Sequence, residues 1–125
     1  MRTLHTSKAP AAIGPYSQAV EAGGFLFSAG QIGLIPETGE FAGPDIETQA
    51  SQVFENLGAI LEEAGVSFAD VVKTTVYLEN MAEFPTVNAI YAKHFTEPFP
   101  ARSTVAVAGL PKGARVEIDI VARVL

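Results

Sequence analysis

The strict alternation in residues 115–124 constrains the fold more than any other feature. Val116, Ile118, Ile120, Ala122 and Val124 point one way, while Glu117, Asp119, Val121 and Arg123 point the other. A period of two belongs to a strand with one apolar face, and that face needs a covering layer. The sequence offers one. Pro44 and Asp45 open a stretch in which Ile46, Ala50, Val53, Leu57, Ile60, Leu61 and Ala64 recur at helical spacing. Asp45 is placed to cap this helix and Gly65 to end it. A second helix carries Phe84, Val87, Ile90, Tyr91 and Phe95 on one face, with Pro85 tolerated in its first turn and residues 80–83 forming a separate turn before it. The Val- and Thr-rich residues 71–78 read as a strand, and Gly23-Gly24 suits a hairpin turn between residues 18–21 and 25–28. With 125 residues and no linker or repeat, residues 1–125 read as a single domain. The element order predicts an α+β or α/β sandwich in which two helices cover one face of a sheet. Thr75, Tyr77 and Val121 fall on the other face, which is expected to meet another subunit.

Composition removes several functions. The chain has no cysteine, which excludes a thiol nucleophile, disulfides, thiolate zinc sites and iron-sulfur clusters. Its net charge of -6 repels phosphate backbones and anionic lipid, so neither nucleic acid nor membrane is expected as partner. No apolar signal region starts the chain and no apolar run is long enough to span a bilayer, which predicts a soluble, cytoplasmic protein.

Familiar catalytic constellations are missing. The two histidines, His5 and His94, stand without the spacing of a metal site and read as surface or packing residues. Gly30-Gln31-Ile32-Gly33 is no phosphate loop and reads as a bulge, although Gly30 would let a ligand approach the backbone. Arg102, stiffened by Pro98 and Pro100 and placed before a strand-like run, suits a bidentate grip on a carboxylate; the plainer alternative is a surface salt bridge. Glu117 is either a solvated strand carboxylate or a buried acid/base group. Tyr16, after Gly14-Pro15, has a fixed direction but alone reads as packing.

Taken together, Gly14-Pro15-Tyr16-Ser17-Gln18, Ser28-Ala29-Gly30-Gln31-Ile32-Gly33, Asn56-Leu57, Val72-Lys73-Thr74-Thr75-Val76, Val87-Asn88, Pro100-Ala101-Arg102-Ser103 and Leu110-Pro111-Lys112-Gly113 leading to Glu117 resemble the RidA family, the reactive intermediate deaminases, over nearly the whole chain. The resemblance implies a chorismate-mutase-like α+β fold, a mixed sheet with two helices on one face, assembled as a homotrimer with clefts between subunits. It implies hydrolysis of 2-iminobutanoate, 2-iminopropanoate and related enamine acids from pyridoxal-phosphate dehydratases to 2-oxo acids and ammonia, without cofactor or metal. It assigns carboxylate binding to Arg102, water positioning to Glu117, the pocket tyrosine to Tyr16, a backbone contact to Gly30 and a supporting role to Asn88. Many members carry Ser where this chain has Ala29, so the side chain that lines the family's pocket is missing here; many also carry Cys where it has Thr104, so a thiol is not essential. Beside the enzyme stands a rival reading, a non-catalytic trimeric module that binds small carboxylates; it needs Arg102 but not Glu117. An RNA-cleaving activity suits the acidic chain poorly.

Overall fold

The computed structural model describes residues 1–124. The alternating segment becomes β6 (Val116–Arg123), the third-last step across a six-stranded sheet. Its neighbours are β1 (Arg2–Leu4), β2 (Ala19–Ala22), β3 (Phe25–Ser28), β4 (Val71–Leu78) and β5 (Ala101–Ala106), in the spatial order β1-β2-β3-β6-β4-β5. Pairing is antiparallel except between β4 and β5, which run parallel because α2 (Phe84–Tyr91) carries the chain back between them.

The face predicted to be apolar is buried: Val116, Ile118, Ile120 and Ala122 are at most 1% exposed. They pack against α1 (Ile46–Glu63), whose Ala50, Val53, Phe54, Leu57, Ile60 and Leu61 are buried in the same core as Val87, Ile90 and Tyr91 of α2. Each large aliphatic side chain buried this way contributes about 1.5 to 3 kcal/mol. Asp45 caps α1 by accepting from the Thr48 amide at 3.0 Å, and the helix closes with the Val66 amide on the Leu61 carbonyl and the Gly65 amide on the Glu62 carbonyl. That pair of reversed bonds needs a left-handed residue, and Gly65 has φ of 77°.

Two boundaries and one strand differ from the sequence expectation. The second helix stops at Tyr91 and passes into tighter turns, with the Lys93 and His94 amides on the Ile90 and Tyr91 carbonyls. Phe95 therefore lies beyond the helix, yet it stays buried with its ring 4.4 Å from that of Tyr91, because the core selects for the ring and not for the backbone beneath it. Arg102 lies inside β5 and not before it. The short β1 carries too few residues to show a period.

The opposite face of the sheet has no helices. Phe25, Phe27 and Val105 are exposed there, with Thr75, Tyr77 and Val121 half-buried beside them. No helix among the described residues is long and apolar enough to cross a membrane.

Candidate functional site

A cleft opens where β3 parts from β6. After Phe27 pairs with Val121, contact resumes at Gln31 and Ile118, so four steps on one chain oppose three on the other. This is the bulge anticipated at the glycine-rich segment. Its polar groups are satisfied: Ser28 Oγ accepts from the Ile120 amide at 3.0 Å, the Ala29 amide donates to the Gln18 carbonyl, and Gln31 and Ile118 exchange both backbone bonds. The Ser28 hydroxyl is thus committed to the sheet and does not stand in for a hydroxyl at position 29.

The bulge sets Gly30 directly against the carboxyl group of Glu117, where a Cβ would lie 2.6 Å from Glu117 Cδ. Around them is a cavity of about 350 Å³ whose lining includes Ile13, Tyr16, Ile32, Leu34 and Pro111 on the apolar side, and Gln18, Gln31 and Lys112 on the polar side. Two buried amides fix its walls. Gln18 accepts from the Thr6 amide at 2.7 Å and donates to the carbonyls of Thr6 and Pro10, pinning the N-terminal segment. Asn56, fully buried on α1, donates to the carbonyls of Ile32 and Leu34 at 3.2 and 3.0 Å. Tyr16 is 55% exposed at the rim, its amide folded onto the Gly14 carbonyl. Lys112 enters the same rim in a left-handed conformation, φ 58°.

Glu117 sits half-buried, and burial first and the neighbouring Asp119 second push its carboxyl above the ordinary carboxylate value. It accepts no hydrogen bond from the described residues, whereas Asp119 Oδ2 accepts one from the Tyr77 hydroxyl at 3.1 Å. Of the two readings open for Glu117, the solvated strand carboxylate does not describe this environment.

Arg102 lies elsewhere. It pairs with Thr74, which is buried on the helix side, while Glu117 pairs with Tyr77 on the open side. The residues therefore leave opposite faces of the sheet from strands separated by β4, about 10 Å apart sideways at one strand spacing each and offset by three residues, about a further 10 Å, along the strands. Arg102 Nη1 donates to Asn88 Oδ1 at 2.7 Å, and its guanidinium lies over the rings of Tyr91 and Phe84, 4.7 and 5.2 Å from their centroids. Among the described residues it has no ion pair, which removes the salt-bridge alternative. A neutral amide and two aromatic faces orient the guanidinium without neutralising it. Thr104 follows on the same face of β5, opposite Val76.

The candidates thus form two half-sites: Tyr16, Gly30 and Glu117 in the cleft, and Arg102, Asn88 and Thr104 at the far edge. Ile32 and Leu34 line the cleft, Phe84 underlies Arg102, and Phe25 lies on the open sheet face. Gln18 and Asp119 were not singled out. Gln18 stands beside Tyr16 with nothing local to show that it is buried, and the partner that gives Asp119 its meaning is 42 residues away. A larger groove, about 790 Å³, runs along α1 past Glu55, Glu62 and Phe68, and contains none of the candidates.

The sequence profile of the endoribonuclease L-PSP family matches residues 6–124. The chain is 53% identical over 119 residues to a chloroplastic reactive intermediate deaminase A of Arabidopsis thaliana, covering 95% of this chain and 64% of the plant protein. It is 48% identical over 121 residues to a human 2-iminobutanoate/2-iminopropanoate deaminase, covering 97% and 88%. Among solved structures, RidA from an Antarctic Psychrobacter superposes with a TM-score of 0.95 at 46% identity, covering 99% of this chain and 100% of that one. E. coli TdcF with bound serine gives 0.92 at 39% identity, covering 98% of each.

Proposed function

Because this chain belongs to the endoribonuclease L-PSP family, which takes in proteins named reactive intermediate deaminase A, we propose that it is a hydrolytic deaminase of 2-imino and enamine acids. The substrates are 2-iminobutanoate and 2-iminopropanoate, released in the cytoplasm by pyridoxal-phosphate dehydratases, and the products are the 2-oxo acids and ammonia. The observation that carries this reading is the half-buried Glu117 carboxyl held against Gly30 at the base of a cleft with an apolar wall.

A 2-imino acid already presents an electrophilic carbon, so its hydrolysis asks for an anchored carboxylate, an oriented water and a proton carrier. Glu117 is the proton carrier, taking a proton as water adds to the C=N carbon and returning one to the nitrogen as the carbinolamine collapses. The nitrogen leaves as ammonia and the added oxygen becomes the ketone. Gly30 brings its backbone within reach of the ligand, and Ile32 and Leu34 receive the substrate's alkyl group.

The anchor is the partner subunit's Arg102. Within one chain Arg102 and Glu117 stand on opposite sheet faces, too far apart to hold adjacent atoms of a four-carbon acid. A homotrimer that covers the open face and sets the β5 edge of one copy beside the cleft of the next joins the two half-sites, and Phe25, Phe27 and Val105 supply apolar surface for it. The net charge of -6 weighs against RNA as substrate.

The test is to generate 2-iminobutanoate with a dehydratase and follow early formation of 2-oxobutanoate with wild type, with Glu117→Gln and without protein. Wild type should accelerate release, and Glu117→Gln should fall by about 10²- to 10⁴-fold. No acceleration by wild type over the protein-free rate would support the carboxylate-binding module instead, and an unchanged rate for a folded Glu117→Gln oligomer would remove Glu117 from the chemistry.

A further inference from the structure

Glu117 does not stand alone on the open sheet face. Asp119 follows it two positions along β6 and so projects from the same side. Tyr77 on β4 is the cross-strand partner of Glu117, and its hydroxyl reaches diagonally past that residue to Asp119 Oδ2 at 3.1 Å. Two carboxyl groups and a phenol thus form one cluster, with a hydrogen-bond donor for only one of the carboxyls.

We propose that the Tyr77–Asp119 hydrogen bond is a positioning device for Glu117: it fixes a second negative charge beside the catalytic carboxyl, which favours the protonated form of Glu117 as the form that begins the reaction. The inference rests on the deaminase reading of the cleft and adds an order of events to it. A protonated Glu117 gives its proton to the imine nitrogen first, which makes the C=N carbon more electrophilic. The resulting carboxylate then accepts a proton from the adding water, and the regained proton goes to the amino group before C–N cleavage. The last proton, from the carbinolamine hydroxyl, returns to Glu117 as the ketone forms. The sum is imine plus water to 2-oxo acid plus ammonia, with Glu117 restored.

The charged groups around the cluster leave this assignment intact. On the same face of β4, Lys73 spends its ammonium on Ser103 Oγ at 2.9 Å. On β6, Arg123 is at the far end of the strand and exposed. β3 presents Phe25 and Phe27, with no charge. Arg115, just before β6, is engaged with Glu83 and the Pro44 carbonyl. Lys112 lines the rim, and the partner subunit's Arg102 is the second cation of the proposed site; with substrate bound its guanidinium is paired with the substrate carboxylate, which leaves burial and Asp119 to bias Glu117, both toward the protonated form.

The experiment follows the Glu117 side-chain carboxyl carbon by NMR as a function of pH in wild type, Asp119→Asn, Tyr77→Phe and Asp119→Glu, the signal being assigned by its loss in Glu117→Gln. The Glu117 midpoint should fall by about one pH unit in Asp119→Asn, the order expected for two charges one strand repeat apart at a partly buried surface. It should fall by less in Tyr77→Phe, where Asp119 keeps its charge but loses its tether, and stay high in Asp119→Glu. In the deaminase assay the alkaline limb of kcat should move down with the midpoint in each variant, while the rate at low pH is kept; a merely structural role would lower the rate at every pH. An unmoved Glu117 midpoint in folded Asp119→Asn overturns the proposal, and Tyr77→Phe decides it if Asp119→Asn fails to fold. The carboxyl titration needs no turnover, so a wild type that fails to accelerate 2-oxobutanoate formation would remove the deaminase reading while leaving the Asp119 coupling measured in its own right.

Discussion

Gly30 is in contact with the carboxyl group of Glu117 so closely that a single methyl group at position 30 would occupy the carboxyl's place, with its carbon 2.6 Å from Glu117 Cδ. The atoms in conflict belong to the end of a side chain, and φ at Gly30 is not in the left-handed region, so the fold can absorb the change by turning Glu117 aside. Gly30→Ala should therefore leave thermal stability nearly unchanged and lower deaminase activity by about 10²-fold, the scale of an ångström-sized misplacement of a reacting group. Gly33→Ala is the contrasting control. Its Cβ would meet the Gln49 Cα and carbonyl oxygen of α1, each at 2.7 Å, and backbone cannot turn aside. That variant should lose about 1 to 3 kcal/mol of stability, read as a fall of several degrees in Tm.

Arg102 and Asn88 make a prediction of opposite chemistry. Asn88 Oδ1 orients the guanidinium at 2.7 Å but brings no charge, so Asn88→Asp would supply an ion-pair partner in the same place. Calorimetry with 2-oxobutanoate as a stable anionic mimic should find binding weakened more by Asn88→Asp than by Asn88→Ala, because the first neutralises the cation and the second only loosens it. Arg102→Ala should cost about 30- to several-thousand-fold in affinity, and Arg102→Lys should keep charge yet lose the planar fork and most of the activity. Equal affinity in wild type and a folded Arg102→Ala variant would remove Arg102 from the site.

What the sequence made legible follows the range of each signal. The α1 cap, the Gly65 stop and the period of β6 are written in residues next to one another, and each reads directly onto the structure. The end of α2 was misplaced because Phe95 keeps helical spacing with Tyr91 although the helix has ended; burial of the ring carried the pattern past the backbone. Arg102 and Glu117 were visible singly, but their separation onto opposite faces depends on a parallel pairing of β4 with β5 and an antiparallel pairing of β4 with β6, neither of which is a local property. The buried amides Gln18 and Asn56 are legible only once the loops whose carbonyls they satisfy are in place.

Glu117 also leaves a mark on stability. Its carboxyl is raised above the ordinary 4.5 in the folded chain, by burial and by Asp119. Both folded and unfolded forms bind the proton below that ordinary value, so Glu117 costs nothing there. As pH rises through the raised native value, the unfolded chain ionises more readily than the folded one, and stability is lost. Glu117→Gln removes the penalty. At fixed protein concentration the variant should melt above wild type at neutral pH, with the gap closing as pH falls below about 4.5. A gap that is constant across pH would assign the difference to packing.

The last prediction concerns the cleft wall held by Asn56. This residue is fully buried on α1, and its Nδ2 group alone donates to the carbonyls of both Ile32 and Leu34, while its Oδ1 accepts from Gln52 at 2.9 Å. Asn56→Asp keeps the shape and the acceptor but replaces both donated bonds with a carboxylate facing two carbonyl oxygens. Asn56→Leu fills the volume without adding charge and leaves the Leu34 carbonyl unpaired, while the Ile32 carbonyl keeps its bond from the Leu34 amide. A buried acceptor stranded in this way costs about 1 to 3 kcal/mol, and a charged group in its place costs more. Asn56→Asp should thus be the less stable of the two at neutral pH, and should recover part of the difference on acidification as its carboxyl takes up a proton and regains a donor. Ile32 and Leu34 receive the alkyl group of the substrate in the proposed reaction, so Asn56→Leu should raise KM for 2-iminobutanoate more than it lowers kcat: Glu117 is held against Gly30, which takes no bond from Asn56. Thermal melts at two pH values and steady-state kinetics on the folded variants check both halves. A fall in kcat with KM unchanged would show that this wall positions the reacting carbon and not the alkyl chain.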